Sequence, residues 1–126
     1  MKAQELFDIM VGHVRNQGVP SVDERSGKCK YRQRDEATGE MRKCAVGFLI
    51  PDGRYEDTLE GSGSLAHNVL DAIPLKYRDS KLKRDLMNII QAAHDDASHE
   101  ADFLSEFETR AYITARDLGL DYTPPS

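Results

Sequence analysis

The strongest constraint on the fold is an apolar repeat between residues 80 and 98. Leucine, isoleucine and alanine recur there at intervals of three and four residues, which is the spacing of one face of an α-helix. Asp79 or Ser80 is suited to cap the start of this helix. We therefore expect a long helix at the centre of the core, with an inward stripe of Leu82, Leu86, Ile89, Ile90, Ala93 and Ala97.

Three further helices are predicted by patterns of the same kind. The first covers residues 3–17 and ends at Gly18, the second covers residues 64–72, and the last covers residues 102–118 and ends at Gly119. Glycine commonly ends a helix because it adopts the left-handed conformation without strain. The inward positions are Ala3, Leu6, Ile9, Met10, His13 and Val14 in the first helix, Leu65, Val69 and Ile73 in the second, and Phe103, Leu104, Phe107, Ala111, Ala115 and Leu118 in the last.

A single antiparallel β-hairpin is predicted near residues 28–44. Residues 28–32 alternate in character, which is typical of a half-buried strand. A turn through residues 36–39 returns the chain, and pairing of Asp35 with Glu40 would place Tyr31 opposite Cys44. The predicted fold class is therefore α+β, a mainly helical domain of about four helices with one hairpin.

The longest apolar run, residues 45–50, has two interpretations. A fully buried strand tolerates an unbroken apolar run, but a short helix that starts near Cys44 and stops at Pro51 also fits. We favour the helix, since the chain must turn back from the hairpin onto the helices.

Length and composition indicate one soluble domain. With 126 residues, 39% of them hydrophobic and 31% charged, the chain can bury one core without a metal or disulfide. We expect a compact domain over residues 1–120, a mobile tail over residues 121–126, a cytoplasmic location, no membrane association and either a monomer or a homodimer. The start lacks the apolar segment of a signal peptide, and both cysteines are expected to be free thiols.

The net charge of −5 is unevenly distributed. Residues 24–43 carry a local excess of basic side chains, whereas residues 85–108 contain seven acids and no lysine or arginine. Such a dipolar protein can orient a charged partner. Direct nucleic-acid binding is not expected, because the acidic remainder repels phosphates; the acidic stretch could instead imitate a phosphate backbone in a basic groove of another protein.

The order of several motifs resembles a family of small uncharacterised proteins encoded in phage and bacterial genomes. Its marker is the core Cys-Ala-Val-Gly-x-Leu-Ile-Pro-Asp, which occupies residues 44–52 here. The resemblance implies no particular chemistry, but a phage setting would favour a protein that binds and modulates a host factor. The other matching segments are the opening Leu-Phe helix, residues 27–32, Tyr55, residues 60–61, residues 93–95, Phe107, Arg110 and Ala111.

Cys44 is the candidate nucleophile. At the start of a helix and beside basic residues, its thiolate would be favoured, while His94 could act as the base and Asp52 could orient the imidazole. The interpretation we favour is that Cys44 is a small buried hydrophobe packed on Tyr31, since free cysteine is among the most buried residue types. A Cys29–Cys44 disulfide is not expected, because diagonal neighbours lie too far apart.

The histidines suggest only weak metal chemistry. Asp95 and His99 are four residues apart and could share a divalent ion, but their face points away from the apolar stripe and no third ligand is apparent. We therefore expect neither a metal nor a cofactor. His94 is expected to be structural, with its ring bonded to the hairpin or to the turn at residues 51–53, and His13 is expected to be a hydrogen-bonded core histidine.

These observations predict a small, non-catalytic protein that binds another protein, with a cysteine-dependent hydrolase or transferase as the alternative. The hairpin, the loop at residues 52–64 and the acidic helical surface are the candidate contact regions. The candidate binding residues are Asp52, Tyr55, Glu60, Lys28, Lys30 and Arg32.

Overall fold

The computed structural model describes residues 1–125 and shows a mainly helical α+β domain, as the sequence predicts. A fifth helix of a single turn adds to the four expected. The elements are α1 (Ala3–Gln17), β1 (Arg32–Arg34), β2 (Met41–Lys43), α2 (His67–Ala72), α3 (Leu75–Arg78), α4 (Lys81–Ala97) and α5 (Phe103–Leu118), with short 3₁₀ turns at Gly47–Leu49, Asp52–Arg54 and Asp57–Leu59. The mobile tail predicted for residues 121–126 includes Ser126, which lies outside the described residues.

Helix α4 is the centre of the core and packs against α1, α3 and α5. Its inward stripe is only partly the predicted one. Leu82 and Ile89 are 44% and 39% exposed, so these two predictions were wrong. The centre of the buried face lies about a quarter of a helical turn away from Leu82 and Ile89. The prediction missed this because the buried face includes polar side chains, which a hydrophobic pattern leaves out. The buried side chains of α4 are Lys83, Leu86, Met87, Ile90, Gln91, Ala93, His94 and Ala97.

The helix boundaries follow from local capping. Gly18 and Gly119 end α1 and α5 with φ angles of 78° and 70°. The Ser80 side chain accepts a hydrogen bond from the Lys83 N–H at the start of α4, and Asp102 accepts one from the Ser105 N–H at the start of α5. These ends are confirmed.

Helix α2 starts three residues later than predicted, at His67. Leu65 therefore precedes the helix and is 42% exposed, which contradicts its predicted inward position. Val69 and Ile73 are buried as expected. Within residues 1–125, no helix has both the length and the apolar character needed to cross a membrane.

The hairpin has the predicted register but shorter strands. Arg32 pairs with Lys43, and one step before this pair the Cys44 N–H donates to the Tyr31 carbonyl oxygen at 3.3 Å. Asp35 and Glu40 face each other at the turn, where the Asp35 N–H donates to the Glu40 carbonyl oxygen at 2.8 Å. Tyr31 and Cys44 are thus opposite each other, as expected.

The first half of the predicted strand does not belong to this hairpin. Cys29 instead forms an isolated antiparallel bridge with Val22, flanked by a hydrogen bond from the Lys30 N–H to the Ser21 carbonyl oxygen at 3.0 Å. The chain can fold back this early because Gly27 adopts a φ of 73°. Residues 21–31 therefore form a second, smaller antiparallel loop that the alternation pattern did not indicate.

The apolar run at residues 45–50 forms a turn followed by the 3₁₀ turn Gly47–Leu49, which is closer to the helical interpretation than to a strand. Most of the run is buried, but Phe48 is 44% exposed. A 3₁₀ helix has three residues per turn, so one residue in three faces solvent when the other two sides are packed. Phe48 occupies that outward position.

Candidate functional site

Cys44 lies in the core and is fully buried. Its sulfur accepts a hydrogen bond from the Gly47 N–H at 3.3 Å, and burial raises the pKa of the thiol well above its usual range. An activated nucleophile requires the reverse, a lowered pKa and access to substrate. The favoured interpretation of Cys44 as a buried core residue agrees with this position.

His94 is also fully buried, and both of its ring nitrogens have partners. Its Nε2 atom accepts a hydrogen bond from the Ser21 backbone N–H at 3.1 Å, so the ring proton must reside on Nδ1, which donates to Asp95 Oδ1 at 2.9 Å. The ring of Phe103 meets the imidazole edge-on at a centroid distance of 5.5 Å. His94 is a structural histidine bonded to the segment before the hairpin, and not to the turn at residues 51–53.

Asp52 does not orient His94. Its side chain is 85% exposed and accepts a hydrogen bond from Arg32 at 2.8 Å, with the Lys43 ammonium 3.6 Å away. The positive charge of Lys43, followed by the hydrogen bond from Arg32, lowers the pKa of the carboxyl. The predicted triad of Cys44, His94 and Asp52 is therefore not assembled, because each side chain is committed to a different structural contact.

The side chains of Cys29, His94 and Asp95 form the one group with metal-ligand spacing among residues 1–125, their ligand atoms lying within 4.8 Å of one another. The exposed His99, proposed from the sequence as a partner of Asp95, is not part of it. The tautomer of His94 opposes a metal, because binding through Nδ1 would move the proton to Nε2, where Ser21 already donates.

Cys29 is half-buried beside Ser98 and forms no disulfide with Cys44. Ser98 Oγ donates to the Asp95 carbonyl oxygen at 2.6 Å, and the Cys29 sulfur lies 3.2 Å from the same hydroxyl oxygen. Burial raises the pKa of the Cys29 thiol to about 11. Cys29 is therefore a protonated, weakly reactive thiol at neutral pH.

The structure brings together four of the six predicted binding residues. The Arg32 guanidinium lies over the ring of Tyr55, 4.6 Å from its centroid, and donates to the Ile50 carbonyl oxygen at 2.9 Å as well as to Asp52. These contacts join the hairpin to the following loop. Lys28 and Lys30 make no such contacts and lie on the smaller antiparallel loop at residues 21–31.

Glu60 completes this cluster and closes the edge of the hairpin. Its carboxylate accepts hydrogen bonds from the backbone N–H groups of Tyr31 and Arg32 at 2.8 and 3.1 Å, and from the Tyr55 hydroxyl at 2.6 Å. The hydroxyl of Tyr31 donates to the Ser62 carbonyl oxygen at 2.5 Å. The predicted binding residues therefore fix the loop to the hairpin, and most of their polar atoms are already satisfied.

A polar cleft of about 330 Å³ lies between this loop, residues 29–31 and α4. Most of its polar groups are bonded within the protein: Gln91 binds the Val46 N–H and Asp95, and the Ser64 hydroxyl donates to Asn88. The cleft thus has few polar groups left to hold a ligand.

Four of the seven acids at residues 85–108 pair with basic residues outside that stretch. Asp85 pairs with Lys81 at 2.6 Å, and Glu108 pairs with Arg15 at 2.7 Å. Arg110 lies 3.5 Å from Asp96 and 3.1 Å from Glu106. These four acids are unopposed within that segment of sequence but not in space, which weakens the case for an imitation of a phosphate backbone.

Phe48 is the site residue that the sequence analysis missed. Its ring stacks on the imidazole of His13, with centroids 4.1 Å apart and planes 10° apart. His13 in turn donates from Nε2 to the Lys43 carbonyl oxygen at 2.7 Å, which holds the imidazole in place. The spacing of the run could have indicated it, since a 3₁₀ turn through residues 45–50 leaves one side in solvent.

Comparison of the chain with protein-family models, with curated proteins and with solved structures gives no match. The resemblance to phage and bacterial proteins remains a prediction.

Proposed function

We propose that this chain is a non-catalytic binding protein that recognises another protein through a surface centred on Phe48. The observation that carries the proposal is the stacked Phe48–His13 pair, an exposed aromatic ring held flat on a hydrogen-bonded imidazole. We call this pair, together with Lys43, the Phe48 platform. Aromatic side chains, phenylalanine among them, are enriched in the cores of protein interfaces.

Rigidity supports the role of Phe48. Its backbone N–H donates to the Cys44 carbonyl oxygen at 3.0 Å, and its neighbours Gly47 and Leu49 are buried. A side chain fixed before binding loses little conformational entropy when a partner covers it. The platform is therefore preorganised for contact.

The surroundings of the platform also suit an interface. The Lys43 side chain is partly exposed, and Asp52, which it faces, is largely exposed. An apolar anchor with a polar rim is the usual anatomy of a protein interface. The partner we propose has an apolar pocket for the ring and polar groups opposite Lys43 and Asp52; under the resemblance to phage proteins, it is a host factor.

The absence of an assembled nucleophile supports a non-catalytic role. Among the described residues, Cys44 is enclosed, Cys29 is protonated and His94 has no free ring nitrogen. No observation favours the cysteine-dependent alternative.

Site-specific photocrosslinking tests the proposal. Benzoylphenylalanine placed at position 48 should give one discrete adduct in lysate of the native cells, and the same group at Ile113 should not give it. Ile113 is a matched control because it is 40% exposed, close to the 44% of Phe48.

Competition defines the outcome. Excess wild-type chain should suppress the adduct, whereas a folded Phe48→Ala chain should suppress it at least about tenfold less well, since truncating a residue that anchors an interface costs about 2 kcal/mol or more. Equal competition by both chains, or the same adducts from positions 48 and 113, would rule the platform out.

A further inference from the structure

Residues 121–123 lie along a groove between α1 and α5. We call these three residues the strap. They have no regular secondary structure, yet four side chains of the two helices contact them. These side chains are Gln4 and Arg15 on α1, and Glu108 and Tyr112 on α5.

Side chains of the groove form hydrogen bonds with the main chain of the strap. The Gln4 amide donates to the Asp121 carbonyl oxygen at 2.9 Å and accepts from the Asp121 N–H at 2.7 Å. This two-way bond uses both backbone groups of one residue, as a neighbouring β-strand does. Two residues further on, Arg15 donates to the Thr123 carbonyl oxygen at 3.0 Å. Contacts of this kind do not depend on the side chains of the bound segment.

The groove also contacts the side chain of Tyr122, which lies between those two contacts. The Tyr122 hydroxyl donates to Glu108 Oε1 at 2.9 Å, and the ring of Tyr122 meets Tyr112 edge-on with centroids 5.6 Å apart. Arg15 holds Glu108 through two hydrogen bonds of 2.7 and 2.8 Å and lies 6.0 Å from the ring of Tyr122. The carboxylate is therefore fixed as an acceptor for a tyrosine hydroxyl.

The strap leaves space in the groove. A cavity of about 470 Å³, lined by Leu104 and Tyr112, and one of about 230 Å³, lined by Phe7 and Val11, both adjoin Tyr122. Tyr122 itself is only half-buried. A bulkier segment could bury more apolar surface there than the strap does, which would favour it by about 25 cal/mol for each Å² buried.

We propose that the α1–α5 groove is a binding site for an extended, tyrosine-containing segment of a partner protein, and that the strap occupies this site until such a segment displaces it. The contacts of the strap indicate what the groove recognises: Gln4 and Arg15 bind the main chain, and Glu108 and Tyr112 bind the tyrosine. This site is separate from the Phe48 platform and does not depend on it.

Peptide binding to the full chain tests the proposal. The probe is a fluorescein-labelled peptide with the sequence of residues 119–125, measured by fluorescence anisotropy. Tyr122→Ala weakens the strap without altering the groove, so this chain should bind the peptide at least about tenfold more tightly than the wild type, in which the strap competes. Asp121→Pro removes the N–H that Gln4 accepts and provides a second variant should the first fold poorly.

Two controls establish the recognition. A peptide with alanine in place of the tyrosine should lose most of the binding, and Gln4→Ala added to the Tyr122→Ala chain should weaken it severalfold. Equal peptide affinity for the wild type and both strap variants would overturn the proposal, as would indifference to the tyrosine. Concentration-dependent dimerisation of the wild type through exchanged straps would also overturn it, by making a second copy the occupant.

Discussion

Gly47 packs so closely against Tyr31 that a Cβ atom at position 47 would lie 2.1 Å from the Tyr31 carbonyl oxygen. Real Cβ atoms do not approach an oxygen this closely, so the backbone of the apolar run can reach the hairpin only where there is no side chain. This contact joins the hairpin to the core and sets where Phe48 emerges.

Gly47→Ala should therefore destabilise the protein by about 3 kcal/mol or more, because the added methyl group meets backbone that cannot move aside independently. Urea denaturation measures the change in the free energy of unfolding. Gly53→Ala is the matched control, since a Cβ there meets nothing within 4 Å and the φ angle is not positive. Similar losses for the two variants would contradict the close-contact explanation.

His94 should tolerate only replacements that supply an acceptor for the Ser21 N–H. His94→Leu fills much of the space but leaves that buried donor unsatisfied, so we expect a loss of about 2 to 4 kcal/mol. His94→Gln offers a carbonyl oxygen near the position of Nε2 and should lose less. Thermal and urea denaturation compare the two variants. If His94→Leu is as stable as His94→Gln or more stable, the hydrogen bond to Ser21 is not the reason for a histidine at this position.

The two thiols should react at different rates. Iodoacetamide should modify Cys29 slowly near neutral pH and faster as the pH rises toward its pKa of about 11, because only the thiolate attacks. Cys44 should react only when the protein unfolds, since it is fully buried with a raised pKa. Peptide mapping of native and urea-unfolded protein distinguishes the two sites. Rapid modification of Cys44 in the folded protein would support the cysteine-dependent enzyme instead.

His13 should make stability fall in mild acid. Burial is the main cause that lowers its pKa, so the folded protein takes up a proton at lower pH than the unfolded chain, whose histidine titrates near 6.5. Above about pH 6.5 this group leaves stability unchanged; as the pH falls from there through the lowered pKa, the unfolded chain binds a proton first and stability is lost.

The measurement is the free energy of unfolding at about pH 7.5 and about pH 5.5, for the wild type and for His13→Gln. The glutamine retains an N–H donor for the Lys43 carbonyl oxygen but does not titrate. The wild type should lose more stability than the variant over this range. An equal loss in both would assign the pH dependence to other groups.

The helices could be predicted because their signals are local. Apolar residues at three- and four-residue spacing give α1, α4 and α5, and glycine or capping side chains give their ends. The errors arise where a local pattern is ambiguous. Leu82 and Ile89 fit the apolar repeat of α4, but the inward face also includes Lys83, Gln91 and His94, each of which has a polar partner outside the helix.

The candidate site was less predictable. Pairing of Asp35 with Glu40 at the turn predicted that Tyr31 faces Cys44. The sequence pattern could not show that Cys29 pairs with Val22 or that Glu60 closes the hairpin edge. The Cys29–Val22 bridge depends on the backbone turn at Gly27, and Glu60 reaches the hairpin from 28 and 29 residues away in sequence. The acids at residues 85–108 provide another example, since Arg15 reaches Glu108 from the other end of the chain.

The fold class, the ends of α1 and α5, the start of α4 and the hairpin register could all be predicted, because each follows from spacing and backbone preference within a few residues. The chemistry of the side chains, in contrast, depends on tertiary contacts. Burial raised the pKa of Cys44, the Ser21 N–H selected the tautomer of His94, and the packed 3₁₀ turn left Phe48 in solvent. Each of these outcomes depends on partners and solvent exposure that exist only after distant segments have packed together.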